Sequence, residues 1–207
     1  RRVPVPGRSG TAELAPLPSP ATVAPWYPAT ALLLAIGQSV GPVEAARGRP
    51  FICPAGQQLR EWLAAVGLDP DRDVAYTNVV MDFDPDAPNY VPTPAEVASA
   101  LPRIVEELER LPAVGAVVLL GASAAHLVAK GPIGRLVGTR HRFGSLPAWP
   151  CWHPSYYLRA ANYRRRAEIE GEALAVLRQA AAAARGEPVP AVVLPTPSYV
   201  DEPVTIA

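Results

Sequence analysis

Three runs of the chain are apolar almost throughout: Ala31–Ile36, Val74–Val80 and Ala116–Leu120. A strand buried on both faces reads this way, because neither face has to alternate with polar residues. Between these runs the pattern turns helical. Ala55–Val66 predicts one helix and Pro94–Leu111 another, with Val97, Leu101, Ile104, Val105, Leu108 and Leu111 falling on one face. The second helix has a marked start: Thr93 as N-cap, Pro94 at the first helical position and Glu96 closing a capping box. Pro102 inside it removes one backbone donor and predicts a kink. A short helix is expected over Ser123–Ala129, a fourth strand over Leu146–Trp152, and a last helix from about Asn162 to Arg185. Strands alternating with helices imply βαβ units. The predicted fold class is therefore α/β: a three-layer α/β/α sandwich around a central, mostly parallel four-stranded sheet.

The ends depart from this pattern. Residues 1–30 are rich in Pro, Ala and Ser and read as an irregular lead-in. Residues 187–207 carry Pro188, Pro190, Pro195, Pro197 and Pro203 and read as an extended tail. Residues 31–186 make the expected domain. With 207 residues, 49% of them hydrophobic, the chain can bury a full core and is not of the disordered class. Its 19 basic and 19 acidic residues cancel, so any attraction to nucleic acid must come from local clusters such as Tyr163-Arg164-Arg165-Arg166. Two cysteines, Cys53 and Cys151, form neither a disulfide framework nor a four-thiolate metal site. A reducing, cytoplasmic setting and a monomeric protein are expected. The run Ala31–Ile36 is too short to span a membrane, and no charged–apolar–small leader pattern stands in the sequence.

In an open parallel sheet, ligands bind beyond the carboxyl ends of the strands. The residues expected there are Gly37-Gln38-Ser39-Val40-Gly41, then Asn78, then Gly121-Ala122-Ser123-Ala124, then His153-Pro154-Ser155. Gly turns, an amide, an imidazole and hydroxyls converge on one edge. No nucleophile–base pair and no metal cluster stands among them. Such a set suits recognition of a polar, planar ligand and stabilisation of negative charge.

These segments resemble the motifs of the uracil-DNA glycosylase superfamily, the family-4 type most closely. Leu33-Leu34-Ala35-Ile36-Gly37-Gln38-Ser39-Val40-Gly41-Pro42-Val43-Glu44 with Gly48-Arg49-Pro50-Phe51-Ile52 is similar to its first motif, a strand followed by G-E-A-P-G-x-x-E and G-R-P-F-V-G. Thr77-Asn78-Val79-Val80 resembles T-N-V-V-K, Leu120-Gly121-Ala122-Ser123-Ala124 resembles L-G-A-x-A, and His153-Pro154-Ser155-Tyr156-Tyr157-Leu158-Arg159 resembles H-P-S-Y-L-L-R. Singly each match is weak: Phe51 alone reads as core, and Asn78 as a turn cap. In order and at sensible spacing, over roughly residues 30–180, they are specific together.

The resemblance implies an enzyme that extrudes a base from single- or double-stranded DNA and reads its exposed edge. By that analogy Phe51 stacks on the base, Asn78 bonds its Watson–Crick edge, and Gly37 and the backbone near Gln38 close the pocket. His153 donates to the pyrimidine O2 as the base leaves. Ser123 and Ser155 hold phosphates, Leu158 and Arg159 enter the base stack, and Arg164 lies near the duplex. Departures are plain. Gln38 stands where the motif has Glu, and Ser39 where family-1 enzymes have Asp, so any catalytic part for Gln38 or Ser39 is limited to holding a water. Asp82, Asp84 and Glu44 are the carboxylates within reach by sequence. Met81 replaces the motif Lys, and Asp82-Phe83-Asp84-Pro85-Asp86 is acidic where phosphate is expected. Without the family's cysteines, no iron–sulfur cluster and no other cofactor is expected. Two principal readings stand: a monofunctional glycosylase acting on uracil or a related modified pyrimidine, or a weak or inactive module that binds DNA or a modified base. A third is a pocket reshaped by Ser39-Val40 for a bulkier base.

Overall fold

The computed structural model describes residue 19 and residues 21–190; residues 1–18, 20 and 191–207, most of the Pro-rich lead-in and tail, lie outside the described residues. In chain order the elements are β1 (Ala21–Thr22), β2 (Leu33–Ser39), α1 (Pro42–Arg47), α2 (Pro54–Ala65), β3 (Val74–Val80), β4 (Asp82–Phe83) and α3 (Pro94–Glu109). There follow β5 (Ala116–Leu120), α4 (Gly121–Ala125), α5 (Ile133–Leu136), β6 (His141–Phe143), β7 (Leu146–Cys151), α6 (Pro154–Arg159) and α7 (Tyr163–Ala184).

Successive residues of the apolar strands feed two different cores. Leu33 and Ala35 of β2, Val118 and Leu120 of β5, and Trp149 of β7 face one side, where Leu59, Trp62 and Leu63 of α2 and Ile169, Ala173 and Val176 of α7 cover them. Leu34, Ile36, Val117, Leu119 and Ala148 face the other side, under Val97, Ala100 and Ile104 of α3. Two cores on either side of one sheet are the three-layer α/β/α sandwich that the doubly apolar strands predict.

The sheet order is β3-β2-β5-β7-β6. The pairs β3–β2, β2–β5 and β5–β7 are parallel, while β6 runs antiparallel to β7. The sheet thus has five strands, not four. The extra one, His141–Phe143, is three residues long with a polar start, so its sequence carries no strand period. The first strand also runs further than its apolar residues, through Gly37, Gln38 and Ser39, because its register with β3 continues to the Ser39–Val80 pair. The expected 123–129 helix is a five-residue turn of helix from Gly121 to Ala125. Helix α3 begins on the predicted capping box and continues through Pro102 to Glu109. Within the lead-in stretch, β1 pairs antiparallel with β4, and Val23 is buried beside Val40, Met81 and Phe83. Among the described residues no helix is long and apolar enough to cross a membrane.

Candidate functional site

The carboxyl ends of β2, β3, β5 and β7 open on one cleft of ≈ 1160 Å³. Gln38, Ser39, Phe51, Asn78, His153, Ser155 and Arg159 all line it. Four segments separated by up to more than a hundred residues of chain are therefore brought to one edge, as the topology of a parallel sheet demands.

The innermost part is built on strand register. Gly37 of β2 lies beside Asn78 of β3. A Cβ at Gly37 would sit 2.2 Å from Asn78 Oδ1 and 2.6 Å from Phe51 Cζ, so the missing side chain is the space in which that amide and that ring meet. Phe51 is buried, packs against Tyr76 at 5.3 Å between ring centroids, and has a positive φ of 55°. Gly56 permits this strained position: a Cβ there would lie 2.2 Å from the Phe51 carbonyl.

Asn78 is held by groups that motif reading did not single out. Its backbone N–H donates to Met81 Sδ at 3.2 Å. Arg103 of α3 donates to the Asn78 carbonyl at 2.6 Å and to the Val79 carbonyl at 3.0 Å. The same guanidinium pairs with Glu107, which is buried. Met81, in the place of the motif Lys, thus points inward and supports Asn78 instead of reaching outward. Arg103 was legible in principle, since an i, i+4 Arg–Glu pair beside the apolar face of α3 is a charged pair at the core boundary. Replacing Arg103 by Ala leaves a buried carboxylate unpaired and two carbonyls without their donor. We expect a loss of about 3 kcal/mol, the lower end for a broken buried pair because the guanidinium is partly exposed. Arg164→Ala, at an exposed i, i+4 pair with Glu168, should change stability by less than about 0.5 kcal/mol. Urea denaturation of the two variants checks the contrast.

His153 is the N-cap of α6. Its Nδ1 accepts the Ser155 backbone N–H at 3.2 Å and lies 2.7 Å from Ser155 Oγ. A backbone N–H can only donate, so Nδ1 carries no proton and Nε2 does. Burial, and then the charge of Arg159, push the imidazole pKa down to about 4. At neutral pH His153 is a neutral ring whose one N–H is at Nε2.

Gln38 and Ser39 are tied to the loop before α3. Gln38 Nε2 donates to the Tyr90 carbonyl at 2.9 Å and Ser39 Oγ to the same oxygen at 3.0 Å. Ser123 is buried, and its hydroxyl donates to Gln38 Oε1 at 3.2 Å. The Tyr90 hydroxyl in turn bonds Glu96 at 2.6 Å. A carboxylate at position 38 could not donate to the Tyr90 carbonyl, so Gln38 is matched to its partner and not merely a Glu that lost its charge. Ser155 lines the cleft, whereas Leu158 is exposed and lies off it, as does Arg164.

Residues given no role by the motif readings complete the walls: Pro88, Asn89 and Val91 of the Tyr90 loop, Arg135 of α5, and Trp152 with Tyr156 of the His153 motif, whose rings stack at 4.9 Å. Trp152 is fixed from behind by its indole N–H to Glu172. Of the three carboxylates within reach by sequence, Glu44 is on the cleft wall; Asp82 and Asp84 are exposed and off it. A four-thiolate cluster does not fit this chain. It has two cysteines; Cys151 lies inside the core on β7, and Cys53 sits beside Glu44. Among the described residues no group of three or more His, Cys, Asp or Glu is placed to hold a metal.

Several known proteins resemble this chain in sequence. The family model described as "Uracil DNA glycosylase superfamily" matches residues 24–178. The type-4 uracil-DNA glycosylase of Thermotoga maritima is 33% identical over 141 residues, 65% of this chain and 71% of that protein. The type-4 uracil-DNA glycosylase of Archaeoglobus fulgidus is 37% identical over 93 residues, 45% of each chain, so the match spans less than half of that relative. A DNA polymerase of Bacillus phage SP01 is 29% identical over 110 residues, 53% of this chain and 12% of the polymerase.

Proposed function

The chain belongs to the uracil-DNA glycosylase superfamily, and from that premise we propose that it hydrolyses the N-glycosidic bond of uracil, or of a related modified pyrimidine, flipped out of DNA. The observation that carries this reading is the state of His153: a neutral imidazole with its Nδ1 engaged by the Ser155 N–H and its remaining proton on Nε2. Such a ring donates to an oxygen on which negative charge grows, and does so without first giving up a proton. Phe51 supplies a face for the base and Asn78 an amide for its polar edge, both fixed by the Gly37 space. As the C1′–N1 bond breaks, the bonding pair leaves with the base, its charge delocalises to O2, and the Nε2–H bond to O2 strengthens. Arg135 and Arg159 give the mouth of the cleft two positive charges for the phosphates flanking the base.

One observation favours the other reading, a module that captures a base without cutting. Gln38 and Ser39 direct their donors at the Tyr90 carbonyl, so neither side chain offers a base to an attacking water. The two readings separate in a cleavage assay on labelled single- and double-stranded oligonucleotides carrying uracil or 5-substituted uracils. Abasic sites formed by the wild-type protein, and lost in Asn78→Ala, establish hydrolysis. Tight binding with every base left in place, at high protein excess, establishes capture.

A further inference from the structure

We propose that Glu44 is the general base for the attacking water, in place of the carboxylate that positions 38 and 39 lack; this rests on the glycosylase reading above. The titratable groups on the cleft wall are Glu44, Cys53, Arg135, His153, Tyr156 and Arg159. The guanidinium groups of Arg135 and Arg159 are donors with no acceptor, and the Tyr156 phenol oxygen is taken by the Arg165 guanidinium. His153 has its Nδ1 filled by the Ser155 N–H and its Nε2 already protonated. The Cys53 thiol is pushed up to about 11 by burial and then by its hydrogen bond to Glu44, so it stays a thiol. The acidic stretch after β3 is no substitute: Asp82 bonds Thr22, and Asp84 accepts the Asp86 N–H. Among the described residues Glu44 is left as the one carboxylate on the wall.

Its placement suits a proton acceptor. Glu44 lies in the first turn of α1, directly after the Gly37–Gly41 segment, and is buried except for its contribution to the cleft. Oε1 accepts the Cys53 backbone N–H at 3.3 Å, which fixes the carboxylate. Oε2 lies toward Gly41, where a Cβ would come within 2.9 Å, so the absent side chain leaves room beside that oxygen on the cleft wall. The step balances as follows. The C1′–N1 bond breaks and its electron pair departs with the base. The water oxygen forms the new bond to C1′, and the water proton passes to Glu44. That proton is then returned to solvent or to the departed base anion. Without the acceptor, the sugar cation recombines with the base anion before water adds.

Glu44→Gln is the discriminating variant, because the amide oxygen can still accept the Cys53 N–H while the group can no longer take a proton. Single-turnover release of uracil should fall by about 100-fold or more, the lower bound for a lost general base. Affinity for a uracil-containing oligonucleotide, read by fluorescence anisotropy, and the melting temperature should stay close to wild type. Azide, which adds to C1′ with no proton to lose, should restore base release in Glu44→Gln and leave the wild-type rate nearly unchanged. Release within twofold of wild type overturns the assignment while leaving the glycosylase reading intact. So does a slow variant that azide does not restore, or one whose melting temperature collapses, since either makes Glu44 a staple for the Cys53 turn. A wild-type protein that releases no base from any of these oligonucleotides overturns both.

Discussion

Replacing His153 by Ala should lower single-turnover base release by about 100–1000-fold while leaving the fold intact. That range is typical for loss of one donor to a developing anion in a water-poor site. The geometry places the whole effect on Nε2–H, because Nδ1 is occupied by the Ser155 N–H. Two consequences distinguish this from a general perturbation. His153→Gln, which still carries an N–H donor, should recover part of the loss. The wild-type rate should also show no inflection near pH 6.5, where an ordinary histidine titrates; burial and Arg159 hold His153 neutral down to about pH 4. The same depression fixes the sign of the stability effect. Between about pH 6.5 and pH 4 the unfolded imidazole is protonated and the folded one is not, so acidification across that window binds protons to the unfolded chain and destabilises the protein. His153→Ala should flatten that part of the pH–stability curve. A variant that releases base at the wild-type rate would remove His153 from the reaction.

The layers of the fold were legible because burial on both faces leaves a strong trace in sequence. Leu33–Ile36 and Ala116–Leu120 can face two cores at once only if helices lie on both sides of the sheet. The capping box at Thr93 and Glu96 was legible because it is local, four residues in a row with reciprocal bonds. What the sequence did not reveal is held by distant partners. Strand β6 exists by pairing with β7, not by its own pattern. The course of the Tyr90 loop is set by Gln38 and Ser39, some fifty residues earlier, and no local signal announces that. β1 likewise depends on β4, sixty residues away.

The site divides along the same line. Motif order brought Gln38, Phe51, Asn78 and His153 to notice, and they do share one cleft. Motif reading also attached an outward task to Ser123 and no task to Met81, and both side chains turn inward. Ser123, expected at a phosphate, is buried against Gln38. Met81, noted only as a departure from the motif Lys, accepts the Asn78 N–H on its sulfur. A motif records which residue types recur, while the direction of each side chain depends on the register and packing around it.

Gly37→Ala should cost about 100-fold in base release while the protein remains folded. In the β2–β3 register Gly37 and Asn78 are direct neighbours. The added methyl would fall 2.2 Å from Asn78 Oδ1 and 2.6 Å from Phe51 Cζ, so both groups must move. Displacements of about 1 Å in groups that position a substrate can cost on the order of 100-fold in rate. Both colliding atoms belong to side chains, and the backbone pairing can survive; the expected stability loss is that of overpacking, about 1–3 kcal/mol. Gly171→Ala is the fitting control. It lies in α7, a Cβ there meets nothing within 4 Å, and the helix should gain up to about 1 kcal/mol. Thermal melts and single-turnover assays on the two variants separate the effects: Gly171→Ala should be at least as stable and fully active, Gly37→Ala folded but slow. Full activity in Gly37→Ala would mean that Asn78 and Phe51 do not hold the base, because no arrangement that keeps both where they now stand leaves room for the methyl.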